Sequence, residues 1–143
     1  AAYCADWFAA QMSVALTSQL EEWQPDLITY MPIGFLHYRK RGYNQAELLA
    51  KLTAKPLSLP CEATLRKRWF VGRQSAQKDY AARQSNAKDA VLPKGSVDLT
   101  EKSVVLVDDI ITTGATAAAA VKALREMGAI RVYVLAATFT PMK

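Results

Sequence analysis

VVLVDDIITTGAT, residues Val104–Thr116, contains the clearest strand pattern of the chain and its most unusual pair of charges. Four apolar residues lead into two adjacent carboxylates, Asp108 and Asp109, and small hydroxyl residues around Gly114 follow. A continuous apolar run is typical of a parallel strand whose two faces are both covered. A strand that only packs has no use for two neighbouring negative charges at its end. The pattern therefore indicates that a polar ligand is bound there.

Helical and strand patterns alternate along the rest of the chain, which fits one domain over residues 1–143. This order predicts an α/β fold with a mainly parallel sheet flanked by helices. Helices are predicted at Ala1–Trp23, Asn44–Ala54 and Ala115–Met127 (with Gly128 as C-cap), and strands at Asp26–Pro32, Glu62–Arg68, Ser103–Asp109 and Ile130–Thr138.

Composition excludes several classes of protein. No run of eighteen residues is free of charge, so a transmembrane helix is not expected. The first residues have no basic lead and Asp6 interrupts their apolar run, which argues against a signal peptide and favours a cytoplasmic protein. The two cysteines, Cys4 and Cys61, lack the spacing and the histidine neighbours of a zinc site, and buried free thiols are expected.

The net charge of +5 is concentrated in one segment. Between Arg66 and Lys88 there are seven basic residues and one acidic residue, whereas the remainder of the chain carries a net charge of −1. Such a concentration favours an anionic partner, either a phosphate-rich small molecule or nucleic acid. A solvated loop kept soluble by its charge explains the composition equally well.

The acid pair and the following loop together predict a sugar-phosphate ligand. Ligands of open α/β sheets bind beyond the carboxyl ends of the strands. The start of a helix offers backbone N–H groups to an anion, and Gly114 permits close approach of the backbone. Thr112, Thr113 and Thr116 add hydroxyl groups. Because carboxylates repel a bare phosphate, the ligand must present hydroxyl groups or a divalent cation to Asp108 and Asp109.

Position by position, Val104–Thr116 resembles the phosphoribosyl pyrophosphate (PRPP) signature of type I phosphoribosyltransferases. The resemblance implies that Asp108 and Asp109 contact the ribose hydroxyls and that a magnesium ion bridges pyrophosphate and ribose oxygens of the ligand. It implies that the 5-phosphate is held by the loop Thr112, Thr113, Gly114, Ala115 and Thr116. The pyrophosphate would be held by the earlier stretch Pro32–Arg41, with Arg39 and Lys40 as candidates beside their alternative role in a turn.

A narrower resemblance covers two further blocks. YRKRGYNQAELLAKLTA (Tyr38–Ala54) and RQSAQKDYAARQSNAKDAV (Arg73–Val91) are similar to the ComF/GntX branch of these proteins, which is associated with DNA uptake in natural competence. Members of that branch usually begin with a four-cysteine zinc module, which this sequence lacks, so an N-terminally truncated chain is expected. The branch pattern gives Asn44 and Gln45 a site role, while capping of a helix explains them equally well.

Two classes of function stay open at this stage. The first is an enzyme that transfers a phosphoribosyl group to a nitrogen nucleophile. The second is a non-catalytic module that senses a sugar phosphate or binds single-stranded DNA. Its DNA contacts, or the pyrophosphate contacts of the enzyme, would come from the basic segment: Arg66, Lys67, Arg68, Arg73 and Arg83. The acceptor and the oligomeric state cannot be read from the sequence.

Overall fold

The computed structural model describes residues 2–34, 39–40, 42–67, 91–111 and 114–139. The helices are α1 (Ala2–Thr17), α2 (Leu20–Trp23), α3 (Gln45–Ala54) and α4 (Ala115–Glu126), with a 3₁₀ turn at Lys55–Leu57. The strands are β1 (Leu27–Tyr30), β2 (Leu65–Lys67), β3 (Val91–Pro93), β4 (Ser103–Ile111) and β5 (Arg131–Phe139).

In these residues the main sheet is parallel and has the strand order β1-β4-β5. β4 lies in the centre, with Val104 opposite Leu27 of β1 and Val132 of β5. Helices cover both faces of this sheet, as their apolar strands require. The predicted α/β architecture is therefore confirmed. β2 and β3 form a separate antiparallel pair.

Alternate residues of β4 enter two different cores. Val105 and Val107 are fully buried in a cluster to which α1 and α3 contribute, among others, Leu16 and Leu49. Val104 and Leu106 face the opposite side, in a cluster with the apolar residues of α4, β2 and β3. This alternation assigns each of the two following carboxylates to a different face of the sheet.

The helix predicted over residues 1–23 is interrupted at Ser18. The Thr17 hydroxyl donates to the Ser13 carbonyl at 2.7 Å, and the Ser18 hydroxyl donates to the Ala15 carbonyl at 2.8 Å. Hydroxyl side chains that bind nearby carbonyls compete with the helical ladder. Two helices, α1 and α2, therefore replace the single predicted one.

β4 is longer than predicted, because it continues for two residues beyond Asp109. Ile110 and Ile111 pair with Thr138 and Phe139 of β5. The sequence alone placed the end of the strand at the charges. Pairing with a neighbouring strand that extends equally far keeps the backbone in the sheet.

α3 begins as the sequence predicted, with Asn44 as its N-cap. An exposed pair, Glu47 and Lys51, is joined at 2.7 Å on the same helix. Cys61 is free but half-buried, so the expectation of a buried thiol holds only in part. Within the described part of the chain, none of the helices combines the length and apolar character that a bilayer crossing requires.

Gly128, directly after α4, packs against the turn at Thr100 and Glu101 that precedes β4. The predicted C-cap position is taken by Met127, and Gly128 follows it with a φ of 108°. The Gly128 carbonyl accepts from the Glu101 N–H at 3.2 Å. A Cβ atom at position 128 would lie 2.8 Å from the Thr100 Cα, so the backbones approach too closely for any side chain.

Replacing Gly128 by alanine should reduce the free energy of unfolding by about 2–4 kcal/mol, since positive φ and steric overlap both act against the side chain. Gly95→Ala is the matched control, because Gly95 has a φ of 55° and a Cβ atom added there would meet nothing within 4 Å. Its expected loss is about 1–2 kcal/mol. Urea unfolding followed by tryptophan fluorescence measures both, and equal losses would contradict the close-approach argument.

Candidate functional site

A cleft of about 190 Å³ opens at the carboxyl edge of the parallel sheet. Three segments form it: the chain that follows β1, the start of α3, and the acid pair of β4. The described residues that line it are Met31, Pro32, Ile33, Asn44, Gln45, Ala46, Asp108 and Asp109. The cleft therefore lies beyond the ends of parallel strands, which is where ligands of open α/β sheets bind.

The two carboxylates are oriented by the backbone that carries them. The Asp109 N–H donates to Asp108 Oδ1 at 2.8 Å, and the Ile110 N–H donates to Asp109 Oδ1 at 2.9 Å. One oxygen of each side chain is thus fixed by the amide of the next residue. This local arrangement limits the rotation of two side chains that both line the cleft.

Burial makes Asp108 an unusual acid. The residue is only 9% exposed, and the pKa of its carboxyl group is raised to about 6, chiefly by burial and also by the neighbouring Asp109 side chain. The backbone N–H of Asp109 and the ammonium group of Lys67 act in the opposite direction. Such shifts are common at ligand sites, because a ligand that supplies positive charge or hydrogen-bond donors offsets the desolvation of the carboxylate.

Asn44 fixes the opposite wall of the cleft. Its side-chain Nδ2 donates to the Met31 carbonyl at 3.0 Å, and its Oδ1 accepts from the Ala46 N–H at 3.0 Å. The residue is 8% exposed. The side chain therefore caps α3 and also ties α3 to the chain that leaves β1. Capping, one of the two roles that the sequence left open, is the role of its Oδ1 atom.

Met31 and Ala46 line the cleft without having been singled out in the sequence, and Ile33 was included only as part of the stretch Pro32–Arg41. They are apolar or small, and no chemical signature marks them in the sequence. Gln45, which the branch pattern did single out, lines the cleft beside them. Only their position in the chain could have predicted these residues. They follow the end of β1 or lie at the start of α3, and these two segments meet at the carboxyl edge of the sheet.

The loop after the acid pair is described in part. Thr112 and Thr113 lie outside the described residues. Gly114 has a φ of 85°, and its carbonyl accepts the first hydrogen bond of α4, from the Ala118 N–H at 2.8 Å. Ala115 and Thr116 are exposed in the first turn. The backbone is left-handed at this position, a conformation that glycine adopts without steric cost.

The described residues among the remaining predicted contacts do not line the cleft. Arg39 and Lys40 are exposed and are not among the described residues that line it. Arg66 is exposed and Lys67 is half-buried on β2. Arg41, Arg68, Arg73 and Arg83 lie outside the described residues, so their predicted contacts stay predictions.

The donor set suits a magnesium ion that arrives with a phosphorylated ligand. Among the described residues, no group of three or more metal-ligating side chains is present. Two carboxylates offer hard oxygen atoms, which suit Mg²⁺ but do not enclose it. Magnesium in proteins usually keeps waters and substrate phosphates as its remaining ligands. The site thus fits an ion held chiefly by the ligand near Asp108 and Asp109.

Comparison with known families identifies this arrangement. The sequence profile of the phosphoribosyl transferase domain matches residues 44–140, from the cap of α3 past the end of β5. The chain belongs to the phosphoribosyl transferase domain family. A search of the curated proteins gave no match.

Solved structures of phosphoribosyltransferases share the fold. The glutamine PRPP amidotransferase of B. subtilis, in complex with ADP and GMP, is 27% identical with a TM-score of 0.62 over 93% of this chain and 26% of its own. A purine phosphoribosyltransferase from Pyrococcus horikoshii is 21% identical (TM-score 0.52; 91% and 71% of the two chains). An adenine phosphoribosyltransferase from Thermoanaerobacter pseudethanolicus is 18% identical (TM-score 0.57; 92% and 79%). This chain spans about a quarter of the amidotransferase.

Asp108→Asn should stabilise the phosphoribosyl transferase domain at pH 8, and by a smaller amount at pH 4.5. A carboxyl with a raised folded-state pKa stabilises the fold below its unfolded value of 3.8, and this contribution is lost as the pH rises through about 6. An amide at position 108 removes that loss. Thermal unfolding should show a gain of about 2–4 °C in Tm at pH 8.

Asp6→Asn, on the exposed side of α1, is the control for loss of one negative charge. We expect its effect on Tm to be the same at both pH values. A Tm difference for Asp108→Asn that does not change between pH 4.5 and pH 8 would contradict the buried-acid account.

Proposed function

We propose that this chain binds PRPP together with Mg²⁺ and acts as a phosphoribosyltransferase. The observation that carries the proposal is the position of the acid pair. Asp108 and Asp109 lie at the carboxyl edge of a parallel sheet, between the start of α3 and the glycine that opens α4. Membership of the phosphoribosyl transferase domain family supports the same ligand.

In this proposal the two carboxylates accept hydrogen bonds from the ribose hydroxyls. Their backbone-fixed orientation favours two neighbouring donors on one ring, because each side chain has one oxygen held by an amide. The 5-phosphate is assigned to the loop from Thr112 to Thr116, where the dipole of α4 favours an anion. Gly114 is left-handed, a conformation that would allow the backbone to approach that phosphate closely.

The proposed reaction is displacement of pyrophosphate by a nitrogen nucleophile at the ribose carbon. Positive charge develops on the ring as pyrophosphate leaves, so the site acts by positioning the ring and by stabilising the leaving group. Arg39 and Lys40 are the proposed cations for the pyrophosphate. Mg²⁺, when bound, would neutralise part of the negative charge on the departing oxygens. The carboxylates of the acid pair keep the ring in place.

Similarity to the amidotransferase supports PRPP as the ligand of this chain, but it does not identify the acceptor. That protein is described as a glutamine PRPP amidotransferase, and this chain spans only 26% of it. PRPP is the ligand we transfer to this chain, because both chains share the fold and this chain contains the acid pair. The acceptor is proposed only as a nitrogen nucleophile.

The ComF/GntX assignment and a role in DNA uptake are the narrower proposal. They are supported by the sequence blocks Tyr38–Ala54 and Arg73–Val91, the second of which overlaps the basic segment Arg66–Lys88. Single-stranded DNA binding through that segment is the alternative function. If it occurs, its affinity should fall steeply with salt, because phosphate contacts release counterions. Affinity for a short oligonucleotide that is unchanged between about 50 and 200 mM salt would count against it.

Calorimetric titration with PRPP and MgCl₂ tests the central proposal. The variant Asp108→Asn/Asp109→Asn should bind PRPP at least about 10-fold more weakly than wild type, since hydrogen bonds to charged groups contribute about 1.5–3 kcal/mol. Removal of Mg²⁺ by a chelator should also weaken wild-type binding. Glu101→Gln, a charge loss in the turn at the opposite end of β4, is the matched control and should bind normally.

Equal PRPP affinity in wild type and in the double variant would remove the assigned role of the acid pair. Catalysis is tested separately, by release of pyrophosphate from PRPP in the presence of ammonia, glutamine and purine or pyrimidine bases. Tight binding without release in any of these mixtures would identify a sensor rather than a transferase.

A further inference from the structure

Lys67 approaches the acid pair from β2. The chain before β2 runs parallel to β1, through a parallel bridge between Ile28 and Cys61. The Ile28 N–H donates to the Pro60 carbonyl at 2.9 Å, and the Glu62 N–H donates to the Ile28 carbonyl at 3.0 Å. This segment therefore runs in the same direction as β1, towards the carboxyl edge of the sheet, where the cleft lies.

A buried pair of hydroxyl groups fixes the level of β2 against the sheet. Thr29 Oγ1 and Thr64 Oγ1 lie 2.6 Å apart, and Thr29 pairs with Leu106 of β4. Lys67 is three residues beyond Thr64, or about 10 Å at the usual rise of a strand. Asp108 is two residues beyond Leu106 on β4. β2 therefore starts beside the register partner of Leu106, two residues before Asp108 on β4.

The faces of the two strands also agree. Leu65 is 5% exposed and belongs to the same core cluster as Leu106. Because side chains alternate along a strand, Lys67 shares the face of Leu65 and Asp108 shares the face of Leu106. Lys67 is half-buried, whereas Arg66, on the other face of β2, is exposed.

The charges around Asp108 come from a small number of elements. On its own strand, Asp109 adds a second negative charge. From α3, Glu47 is engaged with Lys51 at 2.7 Å. On β5, the register partner of Asp108 is Ala136, which is uncharged. Among these described neighbours the Lys67 ammonium group opposes the negative charge on Asp108, and it lowers the pKa of that carboxyl.

We propose that Lys67 is a positioning residue for the acid pair: β2 holds its ammonium group on the Asp108 side of the sheet, where it compensates the buried carboxylate that receives the ligand. Arg66 and Lys67, adjacent in the basic segment, thus have different roles. The ligand-binding consequence rests on the proposed function, whereas the pairing of charges does not.

The pairing is tested without ligand, by a thermodynamic cycle at pH 8. Lys67→Met keeps the aliphatic stem and removes the charge. It should lower Tm by about 2–4 °C in the Asp108 background and by less than about 1 °C in the Asp108→Asn background. Lys67→Arg should restore the wild-type Tm. Arg66→Met is the matched control, because it removes the same charge from the exposed face of β2.

The second readout is PRPP affinity in the presence of MgCl₂. Lys67→Met should weaken it by about 3- to 10-fold, while Lys67→Arg should stay within about twofold of wild type. An equal Tm loss for Lys67→Met in both backgrounds, or equal Tm losses for Lys67→Met and Arg66→Met, overturns the inference. A wild-type chain that binds no PRPP overturns the proposed function, and the ligand-free cycle then decides the role of Lys67 alone.

Discussion

A buried negative charge is the constraint on which the site depends. Asp108 is held at the carboxyl edge of the central strand in surroundings that raise its pKa to about 6, although a neutral residue would fit the sheet better. Its neighbours match that constraint: a backbone amide fixes one oxygen, the Lys67 charge lowers the pKa of the carboxyl group, and the residue lines the cleft. The domain thus retains an unfavourable charge where a ligand rich in donors is expected.

Local patterns were enough to predict the architecture. The apolar runs of β4 and β5, the alanine-rich helix between them and the cap at Asn44 all agree with the observed elements. The errors occurred where non-local pairing or side-chain competition determines a boundary. β5 extends β4 past the charges, and hydroxyl groups end α1 early.

The candidate site was predictable in its charges but not in its shape. Two adjacent carboxylates after a strand are visible in the sequence itself. The second hydrogen bond of Asn44, to the Met31 carbonyl, joins residues thirteen positions apart and needs the fold to be seen. The difference in exposure between Arg66 and Lys67 also needs the fold to be seen. Both are basic residues of one segment, but their side chains lie on opposite faces of β2, where Arg66 is exposed and Lys67 is half-buried.

The proposed contact between the ribose hydroxyl groups and the acid pair is tested most directly by removing first a hydroxyl group of the ligand and then the two carboxylates. Ribose 5-phosphate and 2-deoxyribose 5-phosphate differ by one hydroxyl group, and Asp108→Ala/Asp109→Ala removes the proposed acceptors. By calorimetry, wild type should bind the deoxy ligand about 10-fold or more weakly than the ribose ligand, and the variant should show less than about a threefold difference. The same penalty for the missing hydroxyl in both proteins would contradict the account.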